Sequence, residues 1–355
     1  PFDLCVSVKA MERANSPRLS QSWEYRMHAM VLKAFGGPDN LQPAEIDRPE
    51  PRAGEVLVRV HACSLNPVDM RIRTGLPIGP ALPAVLGADL AGAVEAVAEG
   101  VTGFAPGDEV YGCAGGVRGL GGSFADYIAA DARLLALKPR NLSMREAAAL
   151  PLVSITAANC MSRAAVGASD HVLVHAGCGG VGHVAVQLAK ARGARVAATV
   201  SSPEKAEIAR TLGADDVILY GSESVADYVR RLTGGRGFDV VVDTVGGENL
   251  DRSFQAAAAG GRVAATAARS THDLSPLHAK ALSLHVVFML IPLLENVGRE
   301  DHGRIMREVA ALAEAGKLRP LIDAARFTLG QLPDAFRLLE SGKASGKVVV
   351  DLIRG

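Results

Sequence analysis

Residues 170–200 contain the feature that most constrains the fold of this chain. A short apolar run at 171–175 predicts a buried strand, and it leads into Gly177-Cys178-Gly179-Gly180-Val181-Gly182, which fits the pattern G-x-G-x-x-G. Apolar residues then recur at helical spacing from 181 to 189, and a second β-rich run follows at 195–200. Glycines in this context let backbone N–H groups approach a pyrophosphate at a helix N-terminus. The segment therefore predicts a dinucleotide site, and the alternative is a glycine-rich connection that binds nothing.

The balance of charges argues against a chain built to bind nucleic acid or an anionic membrane. Lysine plus arginine and aspartate plus glutamate each number 38 among 355 residues, and the two signs are interspersed. The longest apolar run, 282–294, is shorter than the roughly eighteen residues that span a bilayer, and it contains His285 and Pro292. Five cysteines without a C-x-x-C pair favour a reducing, cytoplasmic location over a disulfide framework: Cys5, Cys63, Cys113, Cys160 and Cys178.

The order of the predicted elements indicates one domain inserted between two parts of another. We expect residues 1–28 to be an extension outside the fold, because they lack a sustained hydrophobic period and the order of a secretory signal; a short docking arm is the alternative. From 29 to 151, short segments broken by glycine and proline predict a small barrel-like β domain. Its strands are expected at 30–35, 55–62, 91–98, 109–111 and 123–130.

An alanine-rich helical stretch at 140–168, in which Ser143 and Glu146 have the spacing of a capping box, leads into the second domain. Residues 152–292 alternate between β and α patterns, which predicts an α/β fold with a parallel sheet covered on both faces. We expect its strands at 171–175, 195–200, 217–220, 238–242, 262–267 and about 284–291, and helices at 203–212 and 223–232. Residues 293–355 predict helices at 302–315 and 333–340 and a last strand at 347–352, which return to the first domain.

The end of the second strand of this domain favours NADPH as the cofactor. Domains that prefer NADH usually carry an acid there, about twenty residues past the glycines, to bind the ribose 2′-OH. This strand ends with Ser201 and Ser202, followed by Lys205, and a 2′-phosphate is bound by donors and a cation. Glu204 is the counter-argument, although we expect it to face solvent. An ordinary helix cap with a solvated lysine is the alternative.

The sequence does not predict a metal site, because nothing brings histidine and cysteine together at the spacing of zinc, which needs three or four ligands. Two polar clusters lie in loops of the first domain. One is 66–69 (Asn-Pro-Val-Asp), followed by Arg71, and the other is 87–89 (Gly-Ala-Asp). Since Asn-Pro marks the start of a turn, loop capping by Asn66 and Asp69 is the alternative to a functional role.

These segments together resemble the medium-chain dehydrogenase/reductase superfamily, and within it the zinc-independent quinone oxidoreductases, the zeta-crystallin-like branch. The resemblance extends from about Met30 to the C-terminus. The motifs that carry it are Asn66-Pro67-Val68-Asp69, Gly103 with Gly107-Asp108-Glu109-Val110-Tyr111, Ala147-Ala148-Ala149-Leu150-Pro151-Leu152, Gly179-Gly180-Val181-Gly182, Val241–Gly247 and Ser341–Lys347. It implies a GroES-like β-barrel catalytic domain (29–151 and 293–355), a Rossmann NADP-binding domain (152–292) and an active cleft between them.

The resemblance also implies roles for individual residues. Asn66, Arg71 and Thr156 are the implied catalytic positions, and Arg71 stands where relatives often have a tyrosine. Relatives that use zinc have a cysteine at the position of Asn66 and Gly-His-Glu at 87–89, so the resemblance implies that the metal is lost. The residues implied at NADP(H) are Asn66, Thr156, Gly177, Gly179, Gly180, Val181, Gly182, Ser201, Ser202, Lys205, Tyr220, Val245, Gly246 and, more weakly, Lys343.

We therefore predict an NADPH-dependent reductase that transfers hydride to a quinone or an activated alkene, an enone or enal, without zinc. Asn66, Arg71 or backbone N–H groups could meet the developing negative charge, and the sequence does not identify the proton donor. Two alternatives stay open: an NADPH-binding redox sensor or crystallin-like protein with little turnover, and a reductase of acyl-CoA or polyketide alkenes. The run 284–291 matches a strand that pairs across a two-fold axis in relatives, which predicts a homodimer; a covered edge strand is the alternative.

Overall fold

A computed structural model describes residues 26–353, so most of the predicted extension at 1–28 lies outside the described residues, while residues 26–28 open the first strand. The strands are β1 (Arg26–Leu32), β2 (Leu41–Asp47), β3 (Glu55–Ser64), β4 (Ala84–Val85), β5 (Asp89–Val97), β6 (Glu109–Cys113), β7 (Tyr127–Asp131), β8 (Leu135–Leu137), β9 (His171–Val174), β10 (Arg195–Val200), β11 (Asp216–Leu219), β12 (Phe238–Asp243), β13 (Ala257–Ala265), β14 (Ser283–Val286), β15 (Phe327–Thr328) and β16 (Val349–Asp351). The helices are α1 (Pro67–Arg73), α2 (Met144–Ala148), α3 (Pro151–Arg163), α4 (Gly180–Ala191), α5 (Pro203–Thr211), α6 (Val225–Thr233), α7 (Glu248–Ala256), α8 (Ser275–Lys280), α9 (Ile291–Glu295), α10 (Arg299–Glu314) and α11 (Leu332–Glu340).

The predicted parallel sheet is confirmed. Six strands pair in the order β11-β10-β9-β12-β13-β14, and every pair is parallel. The central strand β9 is buried along its whole length because helices cover both faces, which is why its sequence is apolar without alternation. The edge strand β14 ends at Val286, so the expected strand at 284–291 is too long, and α9 begins at Ile291 instead.

The remaining strands form two further sheets, in which every pair except β15 with β16 is antiparallel, and the larger sheet is organised around the long strand β3. A seven-stranded sheet has the order β15-β16-β3-β5-β6-β8, with β7 also pairing with β3, and a three-stranded sheet has the order β2-β1-β4. β16 pairs antiparallel with β3, with Val350 opposite Cys63, so the C-terminal strand returns to the first sheet as predicted. The expected strand at 30–35 is displaced to 26–32, and the one at 123–130 to 127–131.

Two helices at the start of the second segment bring the sheets together. The predicted capping box is confirmed at α2, where the Ser143 N–H donates to Glu146 (2.8 Å). α3 follows directly and packs against α4 of the parallel sheet. α10 packs against both α3 and β8, and the Tyr111 hydroxyl of β6 donates to the Met306 carbonyl of α10 (2.6 Å). Within residues 26–353, no helix combines the length and apolar composition needed to cross a membrane.

Candidate active site

The glycine turn between β9 and α4 is built so that several of its residues accept no side chain. A Cβ at Gly182 would lie 2.0 Å from the Ala176 carbonyl oxygen, and a Cβ at Gly177 would lie 2.7 Å from the Ala198 Cβ of β10. The turn is therefore packed tightly against its own first residue and against the neighbouring strand. Glycine at these positions is required by space, which explains the spacing seen in the sequence.

The residue before the first glycine carries the backbone strain of the turn. Ala176 has a φ of +52°, in the left-handed region that favours glycine, whereas Gly177 has a φ that any residue can adopt. The Ala176 N–H donates to the Thr199 hydroxyl (3.0 Å), and the Thr244 hydroxyl donates to the His175 carbonyl oxygen (2.8 Å). Contacts from β10 and from the end of β12 thus hold the strained residue in place.

The turn delivers free backbone donors to the carboxyl edge of the parallel sheet. α4 is twelve residues long, and its N-cap is Gly179, which offers no side-chain acceptor to the first N–H groups of the helix. These donors and the positive end of the helix dipole suit a pyrophosphate. The residues of the turn and the start of α4 therefore fit a dinucleotide.

Two strand ends next to the glycine turn hold the residues expected at the adenosine end. Ser202 is the N-cap of α5, and its hydroxyl accepts from the Lys205 N–H (3.3 Å). Ser201 is exposed and Tyr220, at the end of the adjacent strand β11, is 54% exposed, so both are free to contact a ligand. Glu204 is exposed as predicted, but a hydrogen bond from Ser202 lowers the pKa of Glu204, which places a carboxylate beside that hydroxyl.

At the end of β12, a buried carboxylate organises the turn that contains the predicted residues Val245 and Gly246. Asp243 accepts from the backbone N–H groups of both (2.8 Å each) and from the Ser253 hydroxyl of α7 (2.7 Å). Gly246 has a φ of +76°, and a Cβ there would lie 2.2 Å from the Ala267 carbonyl oxygen. These hydrogen bonds fix the turn and leave Val245 exposed at the carboxyl edge of the parallel sheet, the edge that also carries the glycine turn.

A fully buried polar cluster surrounds Asn66, which is the N-cap of α1 and not part of a loop. The expected placement of Asn66 in a loop was wrong because Pro67 begins a helix, a position where its fixed φ and missing N–H are tolerated. The alternative role in capping is present, since Asn66 and Asp69 form a capping box at the start of α1. The Asn66 N–H donates to Asp69 (2.8 Å), and the Asn66 side-chain amide donates to Asp89 (2.9 Å). Ser64 also donates to Asp89 (3.0 Å). The two polar clusters of the sequence thus form one.

Lys347, which the sequence reasoning passed over in favour of Lys343, completes this cluster. It is 3% exposed, and its ammonium donates to the Leu65 carbonyl (2.9 Å) and to the Asn66 side-chain oxygen, and lies 3.4 Å from the Asp89 carboxylate. Lys343 is exposed in the turn after α11. Both lysines belong to one motif, and only the apolar run that follows Lys347 in the sequence could have indicated that it opens a buried segment.

Burial and charge set the protonation of the cluster. Burial, and then the negative charge of Asp89, raise the pKa of Asp69 to about 7, and one Asp69 oxygen has no partner within the described residues. Burial also raises the pKa of the Cys63 and Cys113 thiols well above their ordinary value, so these cysteines are neutral. On α4, burial lowers the pKa of His183 to about 4.

The cluster also contacts the helix that carries Thr156. The second oxygen of Asp89 accepts from the Leu152 N–H (2.8 Å) and so caps the N-terminus of α3. Thr156 lies one turn further along and is buried, with its hydroxyl donating to the Leu152 carbonyl (2.7 Å). The structure therefore links Asn66 and Thr156 through Asp89 and α3. Arg71 is exposed on α1, outside this network.

Comparisons with known proteins agree with this geometry. The family model described as an alcohol dehydrogenase GroES-like domain matches residues 52–140, and the one described as a zinc-binding dehydrogenase matches 212–350. The chain is 35% identical over 333 residues to an NADPH-dependent alkenal/one oxidoreductase of Arabidopsis thaliana, covering 91% of this chain and 79% of that one. It is 30% identical over 329 residues to the quinone oxidoreductase of Homo sapiens, covering 91% and 97%. A mycobacterial protein solved with NADPH superimposes with a TM-score of 0.81 at 32% identity, covering 92% and 100%.

One matching family model is described as zinc-binding, but the described residues of this chain do not offer a zinc site. Within residues 26–353, no three histidine, cysteine, aspartate or glutamate side chains converge as a set that could hold a metal ion. At the position where the resemblance implies lost ligands, the Lys347 ammonium already lies beside Asp89 and Asn66. These residues do not fit a zinc ion, which needs three or four anionic or imidazole ligands around it.

Proposed function

Because the chain belongs to the quinone oxidoreductase branch of the medium-chain dehydrogenase/reductase superfamily, we propose that it is an NADPH-dependent reductase of quinones or activated alkenes. Membership of this family confirms the resemblance indicated by the motifs. The observation that carries the proposal is the packing of the glycine turn against the polar cluster: a Cβ at Gly180 would lie 3.6 Å from the Lys347 side chain, whose ammonium contacts Asn66. A dinucleotide-binding turn thus adjoins the residue expected at the nicotinamide.

The chain's own groups account for binding of the cofactor. The first N–H groups of α4 bind the pyrophosphate, and Ser201, Ser202, Lys205 and Tyr220 bind the 2′-phosphate and adenosine end. Thr156 and the turn at 245–246 line the nicotinamide side, with Lys343 as a further phosphate contact. When bound, NADPH supplies the hydride.

The substrate needs positive charge and hydrogen-bond donors at its carbonyl oxygen. Reduction of a quinone or an α,β-unsaturated carbonyl builds negative charge on an oxygen, and fixed donors near that oxygen lower the barrier. We assign to this oxygen the Asn66 carboxamide, at the N-cap of α1, and the exposed guanidinium of Arg71, five residues further along in the last turn of that helix. We assign Thr156, on α3, to the side of the site that holds the nicotinamide ring.

Three further properties belong to the same proposal. We divide the chain into a catalytic domain (29–151 and 293–355) and a coenzyme domain (152–292), with the cleft between them. A cytoplasmic location is supported by the free thiols of Cys63, Cys113, Cys160 and Cys178. A homodimer is supported by apolar side chains exposed at and after the edge strand β14, namely Val286, Phe288 and Ile291.

The test is consumption of NADPH and, separately, of NADH against a panel of quinones, 2-alkenals and 2-enones. We expect NADPH to be oxidised by at least one acceptor class and NADH to be the poorer donor. Tight binding of NADPH without oxidation by any acceptor would instead support the redox-sensor alternative.

Two variants test the cofactor assignment. Lys205→Ala should weaken NADPH binding by about tenfold and leave NADH binding unchanged, because a charge-assisted contact to phosphate contributes about 1.5 kcal/mol. Glu204→Gln should strengthen NADPH binding, since it removes the carboxylate beside Ser202. Lys317→Ala, at an exposed lysine after α10, is the matched control. An equal loss of both cofactors in Lys205→Ala would contradict the phosphate role.

A further inference from the structure

We propose that Lys347 is a positioning residue of this reductase, which fixes the Asn66 carboxamide and ties it to the glycine turn that binds the dinucleotide. The inference rests on the proposed function for its catalytic meaning, but its structural claim concerns only contacts within the chain. Neither Lys347 nor Asp89 is among the residues that the sequence motifs indicated as cofactor-binding or catalytic.

The Lys347 ammonium uses all of its hydrogen-bond donors within the cluster. A lysine ammonium has three N–H donors, and Lys347 directs them at three oxygens, on Leu65, Asn66 and Asp89. The group is buried, so none of these interactions is replaced by water. A buried cation with all of its donors used is held in one position, and it holds its acceptors in turn.

Lys347 and Asp89 together set the orientation of the Asn66 carboxamide. Lysine can only donate and an ionised aspartate can only accept, so the amide oxygen must face Lys347 and the amide nitrogen must face Asp89. One N–H of that nitrogen is used on Asp89, and the other has no acceptor among the contacts of the described residues. The ion pair therefore fixes which way the remaining donor of Asn66 points.

Lys347 also connects the polar cluster with the glycine turn. The Lys347 side chain lies against Gly180, the first residue of α4, with its Cδ 3.6 Å from the position of a Cβ there. Asp89, on the other side, caps α3, the helix that carries Thr156. One residue thus lies against the turn and contacts the carboxamide and the carboxylate, so a movement of the turn on binding would act on Asn66 through Lys347.

The variants are chosen to separate positioning from folding. Lys347→Met keeps the stem against Gly180 but leaves Asp89 as a buried unpaired charge, which lowers the thermal midpoint. The double variant Asp89→Asn with Lys347→Met removes both charges and keeps an acceptor for the Leu152 N–H, so we expect it to fold. Lys317→Met, at an exposed lysine after α10 that contacts neither the cluster nor the glycine turn, is the matched control.

The readout is the split between cofactor binding and turnover. For the double variant we expect kcat to fall at least tenfold while the Kd of NADPH, followed by its fluorescence, changes less than threefold. Lys317→Met should leave kcat and the thermal midpoint unchanged. A folded double variant with kcat within twofold of the wild type would overturn the proposal, because Lys347 would then be a structural residue only.

A second measurement applies even if the wild type reduces no acceptor, in which case the proposed function itself is wrong. In protein labelled with ¹⁵N at asparagine side chains, the Asn66 amide protons, assigned by their loss in Asn66→Asp, should exchange slowly with solvent. In the double variant we expect exchange at least tenfold faster. Unchanged exchange would refute the claim that Lys347 fixes the carboxamide, independently of any activity.

Discussion

Replacing the buried Asp69 by asparagine should change how the stability of the protein depends on pH. The pKa of Asp69 in the folded protein is raised from 3.8 to about 7 by burial and by Asp89. Between about pH 4 and pH 7 the folded state therefore binds one proton at this carboxyl that the unfolded state does not bind. A raised carboxyl pKa gives stability that is full below pH 4 and is lost as the pH rises through 7.

The size of the effect follows from one proton. The free energy of unfolding should fall by about 1.4 kcal/mol per pH unit over this window because of Asp69, or about 4 kcal/mol in total. In Asp69→Asn this contribution disappears, while the amide oxygen can still accept from the Asn66 N–H. His175 and His302, whose pKa burial lowers to about 4, act in the opposite direction, but they are present in both proteins and cancel in the difference.

The assay is urea-induced unfolding of the wild type and of Asp69→Asn at pH 5, 6 and 8. The free energy of unfolding of the wild type minus that of the variant should be larger at pH 5 than at pH 8, because the wild type loses the stabilisation from protonated Asp69 over this range. Asp39→Asn, at an exposed carboxylate, is the control and should show no such trend. If the free energy of unfolding of the wild type minus that of the variant stays constant from pH 5 to pH 8, or grows with pH, the raised pKa of Asp69 is refuted.

Two further predictions concern the glycine turn. Gly182→Ala should weaken NADPH binding more than tenfold and lower the thermal midpoint, because its Cβ would lie 2.0 Å from the Ala176 carbonyl oxygen. NADPH fluorescence measures the affinity and calorimetry measures the midpoint, and an unchanged affinity would contradict the tight packing of the turn. Ala176→Gly should raise the free energy of unfolding by about 0.5–1 kcal/mol, since it relieves a φ of +52° at some cost in chain entropy. Calorimetry would count against this strain if the midpoint fell.

The parallel sheet was predictable because its strands are buried on both faces and read as apolar runs between helices, as in β9 and β10. Strands with little burial were not predictable. β2 was missed because it alternates between exposed and half-buried residues and contains Pro43, so its sequence resembles a turn. Strands of this kind are held by pairing with a neighbouring strand, as β2 is with β1, and their own composition does not reveal them.

The candidate site was predictable where function is carried by local backbone geometry and not where it is carried by distant contacts. The glycine turn is a short segment whose spacing follows from its own packing. The contact between Lys347 and Asn66 joins residues 281 positions apart, and in the sequence only the apolar run after Lys347 distinguishes it from Lys343, four residues earlier. The family resemblance supplied Asn66, but the structure was needed to find what holds it.

The most direct test of the account is hydride transfer from NADPH that carries deuterium on the transferring face of C4. Incubated with a 2-enone, the protein should give a saturated ketone that is heavier by one deuterium at the β-carbon, as read by mass spectrometry and NMR. This outcome would establish a two-electron reduction in which the cofactor is the hydride donor. Oxidation of NADPH with no deuterium in the saturated ketone, together with one-electron reduction of quinones, would contradict the proposed hydride transfer.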